Sequence, residues 1–217
     1  MAIERKEIKK KRILITAGPT WVPIDKVRVI SNVASGETGV MFANILAKIG
    51  ARVTLILGPV GEPRLSSGVR LIRFKTFDDL KRNILKELKT GRYGIIIHSA
   101  AVSDYRPQRY FNGKISSSLK GIKINLIPTE KIIDKLKKID KNLFVVGFKF
   151  SPEATAANIK KEAKNMFLRS GVDLVIANTL RNSRYLAYIL TASRTLGPFN
   201  EKRMMAYKLL EVLSKRR

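Results

Sequence analysis

Apolar residues fall along this chain in short continuous runs, set between longer stretches in which they recur every three or four positions. "VRLIRF" (69–74) reads as a strand, and the runs "RILITAG" (12–18), "RVTLIL" (52–57), "YGIIIHSA" (93–100), "LFVVGF" (143–148) and "DLVIAN" (173–178) are too short for helices and apolar at most successive positions. That is the signature of strands buried on both faces. A seventh run, "YLAYILTA" (185–192), reads as a strand near an edge. Helical spacing predicts a helix from Gly36, carrying Val40, Ala43, Ile45, Leu46 and Ala47 and closed by Gly50. Thr76 and Asp79 form a capping-box-like start for "FDDLKRNILKELKTG" (77–91). Ser151, Pro152 and Glu153 predict the start of a helix that runs to Gly171, and "NEKRMMAYKLLEVLSK" (200–215) reads as a closing helix. Strands alternating with helices predict an α/β fold: a mostly parallel sheet with helices on both faces.

In such a sheet ligands bind outside the carboxyl ends of the strands. The residues there are unusual. The fourth strand runs out through His98, Ser99, Ala100 and Ala101 to Asp104, Tyr105 and Arg106, although a buried strand needs no such small residues. They predict that a ligand approaches the backbone closely. Gly18, Gly147, Phe148 and Asn178 end other strands.

The connection from the first strand to the first helix is "AGPTWVPIDKVRVISNVASGETG". A dinucleotide fingerprint would turn at once through G-x-G-x-x-G into the helix. Here residues 19–35 intervene, and the glycines resume as Gly36 and Gly39. A loop of this length between core elements is usually functional. The helix start beside Ser35 and Gly36 suits an anion, or is a plain cap.

Composition narrows the chemistry. The 217 residues hold no cysteine and one histidine, His98. Thiolate chemistry, cysteine zinc sites and a multi-histidine metal cage are thereby excluded. No apolar run is long enough for a bilayer span, and "MAIERKEIKKKR" lacks the apolar core of a signal peptide, so a cytoplasmic protein is expected. The net charge is +26. Clustered cations can neutralise nucleic-acid phosphates or a multiply phosphorylated small molecule, or simply form a solvated surface. The positives are spread along the chain with no aromatic-interleaved stripe, so any nucleic-acid binding is expected to be non-specific and no membrane partner is expected. A basic extension over 1–11, polar enough to fray, precedes one domain over 12–217.

"YFNGK", Tyr110 to Lys114, matches the Y-x-x-x-K of short-chain dehydrogenases, which would make this an NAD(P)-dependent reductase. That motif belongs on a helix. Pro107 and Asn112-Gly113 predict a loop instead.

Taken in order, "ITAGPTWVPIDKVRVISNVASGETG", "HSAAVSDYRP", "GKI", "LIPTEKI", "VVGFKFSPE" and "DLVIAN" resemble the phosphopantothenate–cysteine ligases of coenzyme A biosynthesis, also called phosphopantothenoylcysteine synthetases. The resemblance covers the chain from about residue 12 to its end and implies a modified Rossmann-type fold, without the flavin-dependent decarboxylase domain to which such ligases are often fused. It implies a ligase joining 4′-phosphopantothenate to L-cysteine through an acyl-nucleotide, with CTP as co-substrate in bacterial-type members and ATP in eukaryotic ones. Mg2+ accompanies the triphosphate, and the family is usually dimeric. By the same resemblance Asn32 and Lys114 are catalytic, and Arg28, Asn32 and Ala101 bind substrate. Gly18, Gly36, Gly39, His98, Ser99, Ala100, Asp104, Lys114, Ile132, Phe148 and Asn178 contact the nucleotide; no metal ligands are assigned beyond the expectation that Asp104 holds sugar, phosphate or metal.

The chain departs from the family pattern at several positions. Ser116 and Ser117 follow "KI" where a lysine pair is frequent, and Glu130-Lys131 replaces a proline-aspartate pair. Ala34 replaces a frequent serine, and Met166 and Ser170 stand where bacterial members place two lysines, leaving Lys164 or Arg169 as substitutes. These departures bear on the choice between CTP and ATP more than on the reaction.

Overall fold

The structure is a computed structural model, and it describes residues 8–90 and 92–215. In chain order the elements are β1 (Arg12–Ala17), β2 (Trp21–Pro23), β3 (Val29–Ser31), α1 (Glu37–Lys48), β4 (Arg52–Leu57), β5 (Val69–Arg73), α2 (Phe77–Thr90), β6 (Ile95–His98), β7 (Tyr105–Pro107) and β8 (Leu126–Pro128). They continue as α3 (Ile133–Ile139), β9 (Phe144–Phe150), α4 (Ala156–Ser170), β10 (Leu174–Arg181), β11 (Arg184–Leu190), β12 (Thr195–Phe199) and α5 (Lys202–Ser214).

Eight strands form the main sheet in the order β12-β11-β10-β9-β6-β1-β4-β5. The six from β10 to β5 are parallel, and β11 and β12 add antiparallel strands at one edge. Successive side chains of a strand point to opposite faces, so each apolar run feeds two cores. Ile13, Ile15, Leu55, Ile97 and Ile176 pack on one face against Phe42 and Leu46 of α1 and Met205 and Leu209 of α5. Leu14, Ile56, Ile96, Val145 and Val175 pack on the other against Leu80 of α2, Leu136 of α3 and Ile159 of α4. The chain leaves β1 through α1 toward β4 and returns through α2 to β6 on the opposite side of β1. A crevice therefore opens at the carboxyl ends of β1 and β6.

The predicted parallel α/β sheet is observed, and so is the capping box. Asp79 donates its amide to the Thr76 hydroxyl at 3.2 Å, and Thr76 donates its amide to the Asp79 carboxylate at 3.1 Å.

Two local expectations are corrected. Within the basic extension, residues 8–11 are docked: Ile8 is buried in the core, Lys10 donates its amide to Gly50 O at 2.9 Å, and Arg52 donates to Lys11 O at 2.9 Å. Residues 1–7 lie outside the described residues. The helix expected from Ser151 starts instead at Ala156, where the Thr155 hydroxyl accepts the Asn158 amide at 3.3 Å. The hydroxyl of Ser151 donates to Glu162 at 2.6 Å, and Glu153 adopts a left-handed φ of 55°, so the chain makes one more turn before the helix begins. Among the described residues no helix is long and apolar enough to cross a membrane.

Candidate functional site

The small residues after β6 lie flat against the end of β1. Ser99 donates its amide to Thr16 O at 3.1 Å and its hydroxyl to the same oxygen at 2.7 Å. Ala100 donates to the Thr16 hydroxyl at 3.3 Å, Ala101 to Gly18 O at 2.9 Å, and Thr20 returns a bond to Ala101 O at 3.2 Å. Farther on, Ser103 donates its amide to the Thr20 hydroxyl at 2.9 Å. The strand pairing thus continues past the regular sheet, with Thr16 and Thr20 hydroxyls as extra rungs. Bulkier side chains would fill the crevice this ribbon floors.

The helix α1 closes one side. Gly36, with φ of 71°, is its N-cap and brings no side chain to the opening. A Cβ on Gly39 would stand 2.3 Å from the Ala17 Cβ and 3.0 Å from the Ser99 hydroxyl, so only glycine lets the helix rest on the strand ends here. Phe148, at the end of β9, meets Phe42 of α1 edge-to-face with centroids 6.0 Å apart. Asn178 lies near the end of β10, and its carbonyl accepts the Ser151 amide at 3.0 Å. Ile132 is buried at the start of α3.

The long connection is not an open loop. Its residues pair as the antiparallel hairpin β2–β3, with Trp21 opposite Ser31 and Pro23 opposite Val29. The hairpin delivers Asn32 to the crevice, where its side-chain amide donates to Ala101 O at 3.1 Å. At the hairpin's tip, Asp25 is buried, a residue that the motif contained but sequence reasoning did not single out. Its carboxylate accepts the amides of Val27 at 2.7 Å, Arg28 at 2.6 Å and Ile115 at 3.0 Å, and the Arg28 guanidinium at 2.7 Å. The Ile115 amide leads the groups that hold this carboxyl far below the usual aspartate range, against the opposing effect of burial. Arg28 also donates to Ile115 O at 3.1 Å, and Lys26 donates its amide to Gly113 O at 3.1 Å.

Lys114 therefore sits in a segment with a fixed root. The loop predicted from Pro107 and Asn112-Gly113 has an apolar anchor in Ile115, which is buried, while Lys114 itself is exposed. Tyr110 is exposed and Lys114 follows it in non-helical chain, so the dehydrogenase pairing of those two residues is not formed.

His98 is buried, with Nδ1 2.8 Å from the Thr16 hydroxyl. Burial pushes its pKa down to about 4, so it is neutral near pH 7 and cannot balance phosphate charge. Asp104 is exposed and ion-paired with Lys131, and Glu130 pairs with Lys81 and Lys135. No group of three or more His, Asp or Glu side chains able to hold a metal is gathered among the described residues. With Asp104 already engaged by Lys131, these side chains do not fit a magnesium site built from protein carboxylates. Of the lysine substitutes, Arg169 pairs with Asp134 at 3.1 Å and Lys164 is exposed. Sequence reading named Lys131 only as a departure from the family pattern, and it missed two further cations at the carboxyl edge: Lys149, paired with Glu162 at 3.0 Å, and Lys202, paired with Glu37 of α1 at 2.5 Å.

The structure thus gathers Gly18, Asn32, Gly36, Gly39 and residues 98–101 around the ends of β1 and β6. Phe148 and Asn178 stand on the neighbouring strands, and Arg28 and Lys114 are joined through Asp25. The family model for the DNA/pantothenate metabolism flavoprotein C-terminal domain matches residues 8–215. The chain belongs to this family. The ligase-family resemblance carried by the motifs is borne out at that level.

Within the DNA/pantothenate metabolism flavoprotein family, the chain is 36% identical over 176 residues to a coenzyme A biosynthesis bifunctional protein CoaBC from Thermococcus kodakarensis, covering 81% of this chain and 43% of the relative. A CoaBC protein from Borreliella burgdorferi is 33% identical over 213 residues, covering 95% of this chain and 53% of the relative. The chain spans about half the length of these curated relatives. The crystal structure of a DNA/pantothenate metabolism flavoprotein from Streptococcus pneumoniae superposes with a TM-score of 0.84 at 26% identity, covering 94% of this chain and 98% of the other.

Proposed function

We propose that this chain joins 4′-phosphopantothenate to L-cysteine in two steps, with CTP as the activating nucleotide. In the first step the carboxylate of 4′-phosphopantothenate attacks the α-phosphorus, an acyl–phosphate bond forms and pyrophosphate leaves. In the second the cysteine amine attacks the acyl carbon, an amide forms, the nucleoside monophosphate leaves and the amine loses a proton. Membership of the family and its CoaBC relatives support the reaction class.

The observation that carries this reading is Asn32 held over Ala101 by the 3.1 Å bond to its carbonyl. One hydrogen of the Asn32 amide is used there. Its second hydrogen and its oxygen are left for an acyl oxygen and an incoming amine, the pair of demands that the second step makes. The ribbon at 98–101 has small side chains, which suits a flat base lying on the backbone. Lys131 beside Asp104 supplies positive charge where a proline-aspartate pair is usual in the family, and it can neutralise the phosphate chain directly. Lys114, exposed above the fixed Ile115, can meet charge that develops in the first step.

Val27, Val29, Ile30 and Val33 are exposed along the hairpin, Val33 completely at 108%. Four aliphatic side chains open to water on one projecting element favour a cover, and we propose that a second copy of the chain supplies it.

The test is pyrophosphate release measured with each of the four nucleoside triphosphates, with 4′-phosphopantothenate and with or without cysteine. Release that depends on 4′-phosphopantothenate, is fastest with CTP and becomes catalytic on adding cysteine is expected. Release independent of 4′-phosphopantothenate would contradict the ligase reading, and release fastest with ATP would contradict the choice of CTP.

A further inference from the structure

Where α3 and α4 close on β9, an apolar layer is capped by a polar one. A Cβ on Gly147 would stand 2.8 Å from Ile133 Cδ1 and 2.8 Å from Met166 Sδ, so both helices press on the strand there. Two residues farther along β9, and so on the same face, stands Lys149. Four residues before Met166, one turn nearer the start of α4, stands Glu162. The two side chains meet at 3.0 Å. The Ser151 hydroxyl donates to the same carboxylate oxygen at 2.6 Å, and it leads the groups that hold the Glu162 carboxyl below the usual glutamate range. Glu162 is thus charged and fixed, and it keeps the Lys149 ammonium at the carboxyl end of the strand.

That end is the crevice. Gly147 is in register with His98 of β6, so Lys149 comes level with Ala100, whose side chain packs on the same face. On the other side Lys149 is in register with Ala177 of β10, one residue before Asn178. Lys131 enters the same mouth, two residues before the Ile133 that touches β9. Lys202 differs, since its partner Glu37 belongs to α1 on the opposite face of the sheet.

The first step of the ligase reading brings a carboxylate up to a triphosphate, and neutral His98 offers no charge to offset them. Lys149 can. Its side chain is 39% exposed, and an ion pair so open to water is weak. An ammonium has three donors, so bonding Glu162 does not exhaust it, and a phosphate chain bearing several charges competes well for it.

We propose that Lys149 is a further nucleotide-contacting residue, its ammonium binding the triphosphate chain beside Lys131. The proposal rests on the ligase reading and adds a residue to it. Two substrates of that reading carry phosphate, the nucleotide and 4′-phosphopantothenate. The place of Lys149, level with Ala100 and on the face of Lys131, favours the nucleotide.

The test is calorimetric titration with CTP and ATP at about physiological salt, where non-specific attraction is screened, run beside steady-state kinetics. Lys149→Gln should weaken the better-bound triphosphate about tenfold or more and raise its KM to match, with the KM values for 4′-phosphopantothenate and cysteine and the Tm unchanged. Lys149→Arg keeps the charge and should restore most of the affinity, which a purely structural role for the lysine would not require. Equal triphosphate affinity in Lys149→Gln and the unsubstituted protein would overturn the proposal while leaving the ligase reading in place. A rise confined to the KM for 4′-phosphopantothenate would overturn it in favour of the 4′-phosphate, and a loss shared in full by Lys149→Arg would overturn it in favour of packing. If the unsubstituted protein bound neither triphosphate and released no pyrophosphate, the ligase reading would fail and this proposal with it.

Discussion

The buried carboxylate of Asp25 accepts the main-chain amide of Ile115, ninety positions along the chain, at 3.0 Å, and the same carboxylate holds the guanidinium of Arg28 at 2.7 Å. One side chain thereby ties the tip of the β2–β3 hairpin to the segment that carries Lys114. Asp25→Asn keeps the shape but turns an acceptor of four donors into a group that is itself half donor. A Tm lower by roughly 5 °C or more and a slower turnover are expected. The pH dependence has a fixed sign. A carboxyl held below its ordinary value stabilises the fold fully above the unfolded pKa, about 3.9, and that contribution is lost as the pH falls through the folded pKa. Melting curves taken downward from pH 6 should therefore fall more steeply below pH 4 for the unsubstituted protein than for Asp25→Asn. Parallel curves would remove Asp25 from this role.

His98 gives the complementary case. Its folded pKa is lowered to about 4 by burial. The unfolded chain takes up a proton near pH 6.5 that the folded chain refuses, so stability is lost as the pH falls from 6.5 toward 4. The loss is on the order of 2–3 kcal/mol over that window. His98→Gln should flatten the stability profile there, read by chemical denaturation at stepped pH, and an unchanged slope would contradict the neutral, buried assignment.

Lys114 is exposed and its loss leaves the anchor at Ile115 in place. Lys114→Gln should alter stability by less than about 0.5 kcal/mol while slowing acyl-nucleotide formation. Normal rates of pyrophosphate release in a single-turnover assay would take Lys114 out of the mechanism.

The hairpin's exposed valines predict self-association. Val27→Asp with Val33→Asp should convert a dimer into monomers in sedimentation equilibrium. A chain that is monomeric before substitution would contradict the proposed cover.

Much of this architecture is legible in the sequence because a parallel sheet writes itself as unbroken apolar runs. β1, β4, β6, β9 and β10 all fall on such runs, and the capping box at Thr76 and Asp79 is local. The parts that were not legible depend on distant partners or on little burial. The strands β2, β3, β7 and β8 have three residues each, and all three of β3 are exposed, so no apolar period marks them. Helix α3 has seven residues, too few for its period to declare itself. The start of α4 was misplaced because Ser151 has an N-cap's chemistry but spends its hydroxyl on Glu162. For Asp25, three of the donors lie within three residues of it, but the Ile115 amide that joins the hairpin to the Lys114 segment is ninety positions away, and no spacing rule reaches that far.

The most direct test concerns Asn32. Asn32→Asp is nearly isosteric, yet it places a carboxylate against Ala101 O and removes the donor proposed for the acyl oxygen. Activation should survive better than aminolysis, which should slow by about 10²–10³ as for loss of one oxyanion-type donor. Mass spectrometry of a quenched reaction of this variant with CTP, 4′-phosphopantothenate and cysteine should then find an accumulated acyl-cytidylate that cysteine converts slowly. A folded variant that forms no acyl-nucleotide at all would contradict the assignment of Asn32 to the second step.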